Sequence, residues 1–427
     1  RPAPRGAARR PIPYIAASQP SSFPLMTLLE QLAHHLQRPV NEDVRTRARL
    51  HLLDWLACVA GARSSSVFSD VKHAHQFTRA ATLGNVLEMD DVHRSALLHP
   101  GPVIWPTVFE AREPACEIGR RDMNSVLDKA VIGYEAMVAI GGTLDAQHYA
   151  MYHPTSTAGV FGAAATHASK FTTLVHALAL AGSIAGGFWQ MRHSVNYAKQ
   201  WHVVNAVRGG TDAHIFAAWG MTGPLDVLEG PQGLYAATCR EPKPMAFPDQ
   251  WRIFEVSFKP WAACRHAHPA IDCALELRAA GKLTAPFHVE TYADAITFCD
   301  RPDPVTEVDA KFSLQHAVAV IADGRSATPA DFTPEAIAAL APLRAQVTVS
   351  EDPAITARYP AQFGARVNGL ELQDCRGDPE RPVGQADIVA KMQMLAAWGG
   401  LPAEEADRAV ELVLRGNDAG AIHTMLG

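Results

Sequence analysis

Thirteen residues, EMDDVHRSALLHP from Glu88 to Pro100, gather three carboxylates and two histidines. Groups of these types can bind a metal ion, move protons, or simply solvate a polar loop. The ligand types Glu88, Asp90, Asp91, His93 and His99 would suit a metal, but no HExxH or HxH spacing is present and the acids are adjacent rather than a helical turn apart. On ligand type alone a metal is the less favoured reading, and proton transfer and a plain polar loop both stay open.

Other residues could complete such a site. Three His-Pro dipeptides occur, His99-Pro100, His153-Pro154 and His268-Pro269, the last two followed by helix-forming stretches. Proline favours the first helical position, so these histidines are expected near helix N-termini, where free N–H groups and the dipole attract anions. His-Pro is also ordinary helix punctuation. In CRHAH, Cys264 to His268, His266 and His268 could share one face of a strand, unless Pro269 ends that strand. Lys199 lies beside Trp201 and His202, and Lys259 is followed by Pro260, Trp261 and Arg265. A lysine against aromatic surface loses solvation, and its charge then stabilises a carbanion or carboxylate strongly; most lysines, by contrast, are solvated surface groups.

The elements that must position these groups divide the chain. NEDVRTRARLHLLDWLACVAGA from Asn41 has an Asn N-cap, acids in its first turn, apolar residues at helical spacing and Gly61 as a stop. The segments 123–141, 159–168, 173–188 and 213–219 are Ala-rich and poor in β-formers, as closely packed helices require. Near Trp251 the period changes. RIFEVSFK alternates like a half-buried strand, HVETYADAITF and AQVTVS read as further strands, and ARVNGLEL carries Asn368-Gly369, a hairpin signal. After Pro382 two helical stretches return. The reading is a mainly α protein with a smaller α+β domain: a helical domain over 26–252 and 382–427, and an α+β lid over 253–381. Residues 1–25, rich in Arg, Pro and Ser, are expected to be an extension outside the fold, with Met26 a natural start.

The composition narrows the partners. With 427 residues, 48% hydrophobic, 19% charged and a net charge of −6, the chain offers no basic stripe for nucleic acid. Seven scattered cysteines without a CxxC pair indicate neither a disulfide framework nor a zinc ribbon and fit a reducing cytosol. The most apolar run, Leu174 to Phe188, is too short for a membrane span. No GxGxxG, GxxxxGK[ST] or GxSxG pattern supports nucleotide binding or a serine nucleophile.

Five blocks in order, LEMDDVHRSALLHPG, HPTSTAGVFGAAA, AKQWHVVNAVRGG to TGPLDVLEGPQGL, FKPWAACRHAHPAIDCALEL and AKFSLQHAVAVIADG, resemble the successive signatures of the MmgE/PrpD family. The resemblance covers nearly everything after Met26. It implies a large all-helical domain with an α+β lid, usually a homodimer, and a cofactor-free enzyme acting on a di- or tricarboxylate next to a carboxylate. A hydro-lyase of the 2-methylcitrate dehydratase type is the simplest form; an epimerase or a decarboxylase would share the site, and a member that has lost catalysis would only bind. Carried over by motif, the active site takes in the acidic loop, His99, His153, Lys199, Lys259 and His316. His99 and His153 are the implied proton-transfer pair, Lys199 and Lys259 stabilise charge, and Glu88 or Asp91 orients or acts as base; His99, His153, Lys199 and Lys259 are then expected to meet in one cleft, as a concentration of positive charge that would draw in an anion. Asp90, His93, Arg265, His266, His268 and His316 are expected to contact substrate. Glu88, Val92 and His316 depart from the better-known members, so the substrate transfers less well than the fold.

Overall fold

A computed structural model describes residues 26–110, 122–167, 170–193 and 196–425. The expected N-terminal extension, 1–25, lies outside the described residues. The protein is mainly helical, with one four-stranded sheet among the described residues.

The helix Glu42–Gly61 begins as its sequence requires: Asn41 caps the Val44 N–H, and Glu42 and Asp43 occupy the first turn. Its centre is buried on almost every side, including Arg49, His51 and Asp54, so polar groups are carried into the core. The helices Met123–Thr143, Pro154–Ala165, Phe171–Gly182 and Ala198–Ala218 pack in succession. Small residues permit this: a Cβ on Gly210 would lie 2.4 Å from Ala163 Cβ. The C-terminal helices Gln385–Trp398 and Ala403–Arg415 return to pack on Glu42–Gly61.

The sheet lies in the intervening segment, in the order β2-β1-β3-β4, with β1 Phe287–Thr291, β2 Val347–Glu351, β3 Ala365–Val367 and β4 Leu370–Leu372. β1 runs parallel to β2 and antiparallel to β3. Asn368 and Gly369 both take positive φ, 45° and 87°, which is the two-residue turn that an Asn-Gly hairpin needs. The helices His268–Ala279 and Leu314–Ala322 cover the sheet.

Three strand expectations are corrected. RIFE is a 3-10 turn, Arg252–Glu255, because the Phe254 N–H turns back to the Trp251 carbonyl and the Arg252 N–H is taken by Glu135 Oε2. Beyond it the chain forms an isolated bridge through Ser257 with Val92, and Ser257 and Lys259 are as buried as their apolar neighbours Val256 and Phe258. CRHAH likewise forms a 3-10 turn, Arg265–Ala267, so His266 and His268 share no strand face. In HVETYADAITF the strand ends at Thr291 and a helix, Ala293–Cys299, begins.

Candidate active site

The single pairing between Val92 and Ser257 sets the geometry. Each backbone N–H reaches the other's carbonyl, at 3.0 and 2.8 Å, in antiparallel sense. Two residues away on either chain, side chains on the same face lie opposite each other, and those residues are Asp90 and Lys259. Lys259 Nζ stands 3.6 Å from Asp90 Oδ1 and 3.8 Å from Glu88 Oε2. It is wholly buried and has no hydrogen-bond partner among the described residues.

The acidic loop is held in unusual backbone. Glu88 and Leu97, neither of them glycine, adopt φ of 57° and 54°, a conformation costing about 1–2 kcal/mol at each. Between them the chain doubles back: His93 and Leu98 exchange backbone hydrogen bonds, and His93 Nδ1 accepts the Ala96 N–H while Nε2 meets Glu255 at 3.0 Å. His93 therefore braces the loop with both nitrogens. The fold-back returns His99 to the acids, where Nδ1 sits 2.9 Å from Asp90 Oδ2 and 3.0 Å from the Asp91 carbonyl. Both partners accept, so Nδ1 carries a proton toward them and Nε2 is the ring nitrogen they leave unengaged. The His99 backbone N–H donates to Thr155 Oγ1, fastening the loop to the helix that His153 begins.

Lys199, in the first turn of Ala198–Ala218, donates to Glu88 Oε1. Burial opposes charge on Glu88, but Lys199 and Lys259 outweigh it and hold the carboxyl below its ordinary value. Burial is likewise overcome at Asp90, by Lys259 and His99, and at Lys199, where Glu88 and Asp90 keep the ammonium charged. His153 caps its helix, its backbone N–H bonds to the Gly187 carbonyl, and its Nδ1 lies 3.2 Å from His202 Nδ1. Burial first, then His202, Lys199 and His99, push it well below the normal histidine range, so it is neutral. A cavity of about 200 Å³, lined in part by Ser156, Gly187, Trp201 and His202, opens beside this pair.

Asp91 is committed elsewhere. Oδ2 accepts from Tyr134 Oη at 2.6 Å and meets His51 Nδ1 at 2.8 Å, while Oδ1 accepts the Gly101 N–H at 2.8 Å. Tyr134 Oη in turn accepts from Trp105 Nε1. Burial raises the Asp91 carboxyl to about 6 against these donors. Gly101 allows the approach, since a Cβ there would lie 2.7 Å from Asp91 Oδ1. Asp91 thus has the geometry of an orienting group, and Asp90, expected only as a substrate contact, is the acid on His99.

The remaining residues separate. His266 Nδ1 meets Tyr292 Oη at 2.7 Å and its ring stacks on Phe298; burial, then Arg265 and His99, lowers it to about 3. Arg265 pairs with Asp378, which also accepts from Ser257 Oγ at 2.5 Å. His268 is buried, with Nε2 on the Ala263 carbonyl. His316 is not brought to the cluster: Nε2 bonds to the Asp331 carbonyl, Nδ1 faces Arg344, and its ring abuts Phe332, all within the lid segment. The expected excess of positive charge is not met either, because Glu88 and Asp90 already face Lys199 and Lys259. Among the described residues no three His, Cys, Asp or Glu groups are gathered as metal ligands would be; the loop acids face ammonium and imidazole groups.

An acidic loop, two His-Pro helix starts and two lysines converging from either side of a helical domain and an α+β segment accord with the comparison to known families. Residues 78–246 match the MmgE/PrpD N-terminal domain and residues 261–416 the MmgE/PrpD C-terminal domain. The chain belongs to the MmgE/PrpD family. Among curated MmgE/PrpD relatives, it is similar to cis-aconitate decarboxylase of Homo sapiens, 28% identical over 269 residues, covering 57% of this chain and 54% of that protein. The Mus musculus cis-aconitate decarboxylase is 27% identical over 272 residues, covering 57% and 53%. The chain therefore spans about half the length of the curated relatives it matches.

Three groups that this MmgE/PrpD site uses carry no motif. Lys391, from Gln385–Trp398, donates to Asp54 Oδ1 and the Met89 carbonyl at 2.6 Å and to the Lys259 carbonyl at 3.0 Å. It ties the acidic loop to the Lys259 segment from behind. Tyr134 and His51 hold Asp91. Among the described residues no helix is long and apolar enough to cross a membrane.

Proposed function

We propose that this chain is a lyase of a di- or tricarboxylate that acts by proton transfer at the carbon next to a carboxylate. The observation that carries the proposal is the Asp90–His99 pair set beside Lys259, a buried ammonium with no hydrogen bond of its own. His99 Nε2 is the base or acid at carbon; Asp90 fixes the tautomer and stabilises the imidazolium that forms. Lys259 lies where negative charge on the substrate carboxylate would grow, and a dry ammonium stabilises such charge far better than a solvated one. His153, kept neutral by burial, offers its imidazole as a hydrogen-bond partner to the reacting group, and charged Lys199 holds a substrate carboxylate.

In a hydro-lyase, His99 removes the carbon proton and the hydroxyl leaves as water after protonation. In a decarboxylase, carbon dioxide leaves first and His99, protonated, supplies the proton to the carbanion. The relatives' name favours testing cis-aconitate first, with 2-methylcitrate as the dehydration substrate. The test is proton NMR of a polycarboxylate panel in deuterated buffer. Deuterium entering at a carbon next to a carboxylate, with loss of water or carbon dioxide, supports the reading; no exchange and no turnover with any member would leave a binding protein instead.

A further inference from the structure

The lysines of the site are already matched by acids, so a substrate with two or more carboxylates requires another cation. Arg192, in the 3-10 turn Trp189–His193, lies with its guanidinium carbon 4.4 Å above the Trp189 ring and 5.0 Å above the Phe298 ring of the lid. Those two rings stand edge to face at 6.4 Å, and each also has a histidine among its ring neighbours. His153 is 4.6 Å from Trp189, and His266 is 4.8 Å from Phe298. Arg192 is thus one ring away from both histidines and bridges the helical segment to the lid.

Its hydrogen-bonding capacity is almost unused. A guanidinium has five N–H donors, and here the described residues supply one long hydrogen bond, 3.4 Å to the Ala150 carbonyl. Among the described residues no carboxylate lies within ion-pair distance; Asp294 and Tyr149 act on it from farther away. Stacking between two aromatic faces fixes the plane of the fork while leaving its edge open, the arrangement in which arginine takes a carboxylate through two parallel bonds. The charge of Arg192 is also felt at both His153 and His266, alongside that of His99.

We infer that Arg192 binds a second carboxylate of the substrate, distal to the one at Lys259, and so selects polycarboxylates over monocarboxylates. The inference rests on the polycarboxylate reading above. It gives Arg192 a binding rather than a catalytic role, and it makes the lid ring Phe298 part of the same subsite.

Isothermal titration of the full chain with tricarballylate, a saturated tricarboxylate that cannot be dehydrated, and with crotonate, a monocarboxylate, tests this. Arg192→Gln should weaken tricarballylate by about 10- to 100-fold, the loss expected of charge-assisted hydrogen bonds, with Arg192→Lys between. Crotonate should bind the native and variant chains alike within about twofold, since it has no second carboxylate. Phe298→Leu, which keeps the charge and removes the lid ring, should weaken tricarballylate in the same direction. Equal tricarballylate affinity in the native chain and Arg192→Gln would overturn the role of Arg192 and leave the polycarboxylate reading standing. A native chain that binds neither tricarballylate nor cis-aconitate would overturn the polycarboxylate reading and this inference with it. A similar loss for crotonate in Arg192→Gln would mark general disturbance of the site and also overturn the inference.

Discussion

Replacing Lys391 with methionine separates the support of the site from its chemistry. Methionine keeps the length of the side chain and removes the ammonium, so three contacts are lost: Asp54 Oδ1, the Met89 carbonyl and the Lys259 carbonyl. Both partners of the Asp54–Lys391 pair are buried, and removing one member of a buried pair costs about 3–5 kcal/mol because the other charge is left uncompensated. The cost should depend on pH in a direction that the structure fixes. Burial pushes the Asp54 carboxyl up to about 6, opposed by Lys391 and helped by Asp91 and Asp90. A carboxyl raised on folding holds its proton in the native state, so stability falls as pH rises from the unfolded value to the folded one. In the native chain that fall ends near pH 6; without Lys391 the folded value is higher still, and the fall continues at about 1.4 kcal/mol per pH unit. Between pH 6 and pH 8 the deficit of the variant should therefore widen, by up to about 3 kcal/mol.

Thermal unfolding followed by far-ultraviolet circular dichroism at pH 5.5 and pH 8.0 reads this directly, at about 1–2 °C per kcal/mol in a chain this long. The midpoint of Lys391→Met should lie several degrees below that of the native chain at the higher pH and markedly closer at the lower. Adding Asp54→Asn to Lys391→Met should abolish the pH dependence. Equal deficits at both pH values, or a pH-dependent deficit that survives in the double variant, would refute the reasoning.

Other outcomes follow from the same contacts. Lys259→Met should lower turnover on the identified substrate by about 100-fold or more while the dichroism spectrum is unchanged, since a buried cation facing developing charge is lost. Gly101→Ala should reduce turnover and stability together, because its Cβ would meet Asp91 Oδ1 at 2.7 Å; a fully active, equally stable variant would show that Asp91 does not orient the loop. His266 is lowered to about 3, so its stabilising contribution is complete above pH 6.5 and is lost on acidification; His266→Phe should reduce the stability lost between pH 7.5 and pH 5 by about 2 kcal/mol, measured by thermal unfolding. Ile184, Phe188, Trp201 and Trp219 are more than half exposed, and a homodimer burying them predicts twice the chain mass in light scattering, reduced by Trp219→Glu.

The sequence disclosed this fold unevenly, for physical reasons. Helices with caps and small-residue packing were legible because their signals are local: Asn41 caps, Pro154 opens a helix, and Asn368-Gly369 makes a turn of two left-handed residues. The alternation in RIFEVSFK misled because it matches a strand only if the polar residues face water. Here Ser257 is buried against Asp378 and Lys259 beside Asp90 and Glu88. His316 was drawn to the site by its place in a motif, and only tertiary packing shows both of its nitrogens engaged within the lid. Lys391, Tyr134, His51 and Arg192 had no local signal at all. Each acts across more than 40 residues or through stacking on a ring from another element, and nothing in the neighbouring sequence distinguishes them from surface lysines or core aromatics.

A cleft holding only cations would be costly when empty, whereas this one sets Glu88 and Asp90 against Lys199 and Lys259, so the empty state is already compensated. The two acids are not equivalent. Asp90 also meets His99, and its position follows from the pairing of Val92 with Ser257. Glu88 is itself a left-handed residue that its neighbours must hold in place, and its closest partner is Lys199. An incoming carboxylate therefore competes with Glu88 for Lys199 but finds Lys259, without a hydrogen bond, ready to accept it. Glu88→Gln should on this account tighten binding of a polycarboxylate through Lys199 while leaving the Asp90–His99 pair intact. Titration with tricarballylate distinguishes this from the opposite result, weaker binding, which would mean that Glu88 positions the lysine and does not compete for it.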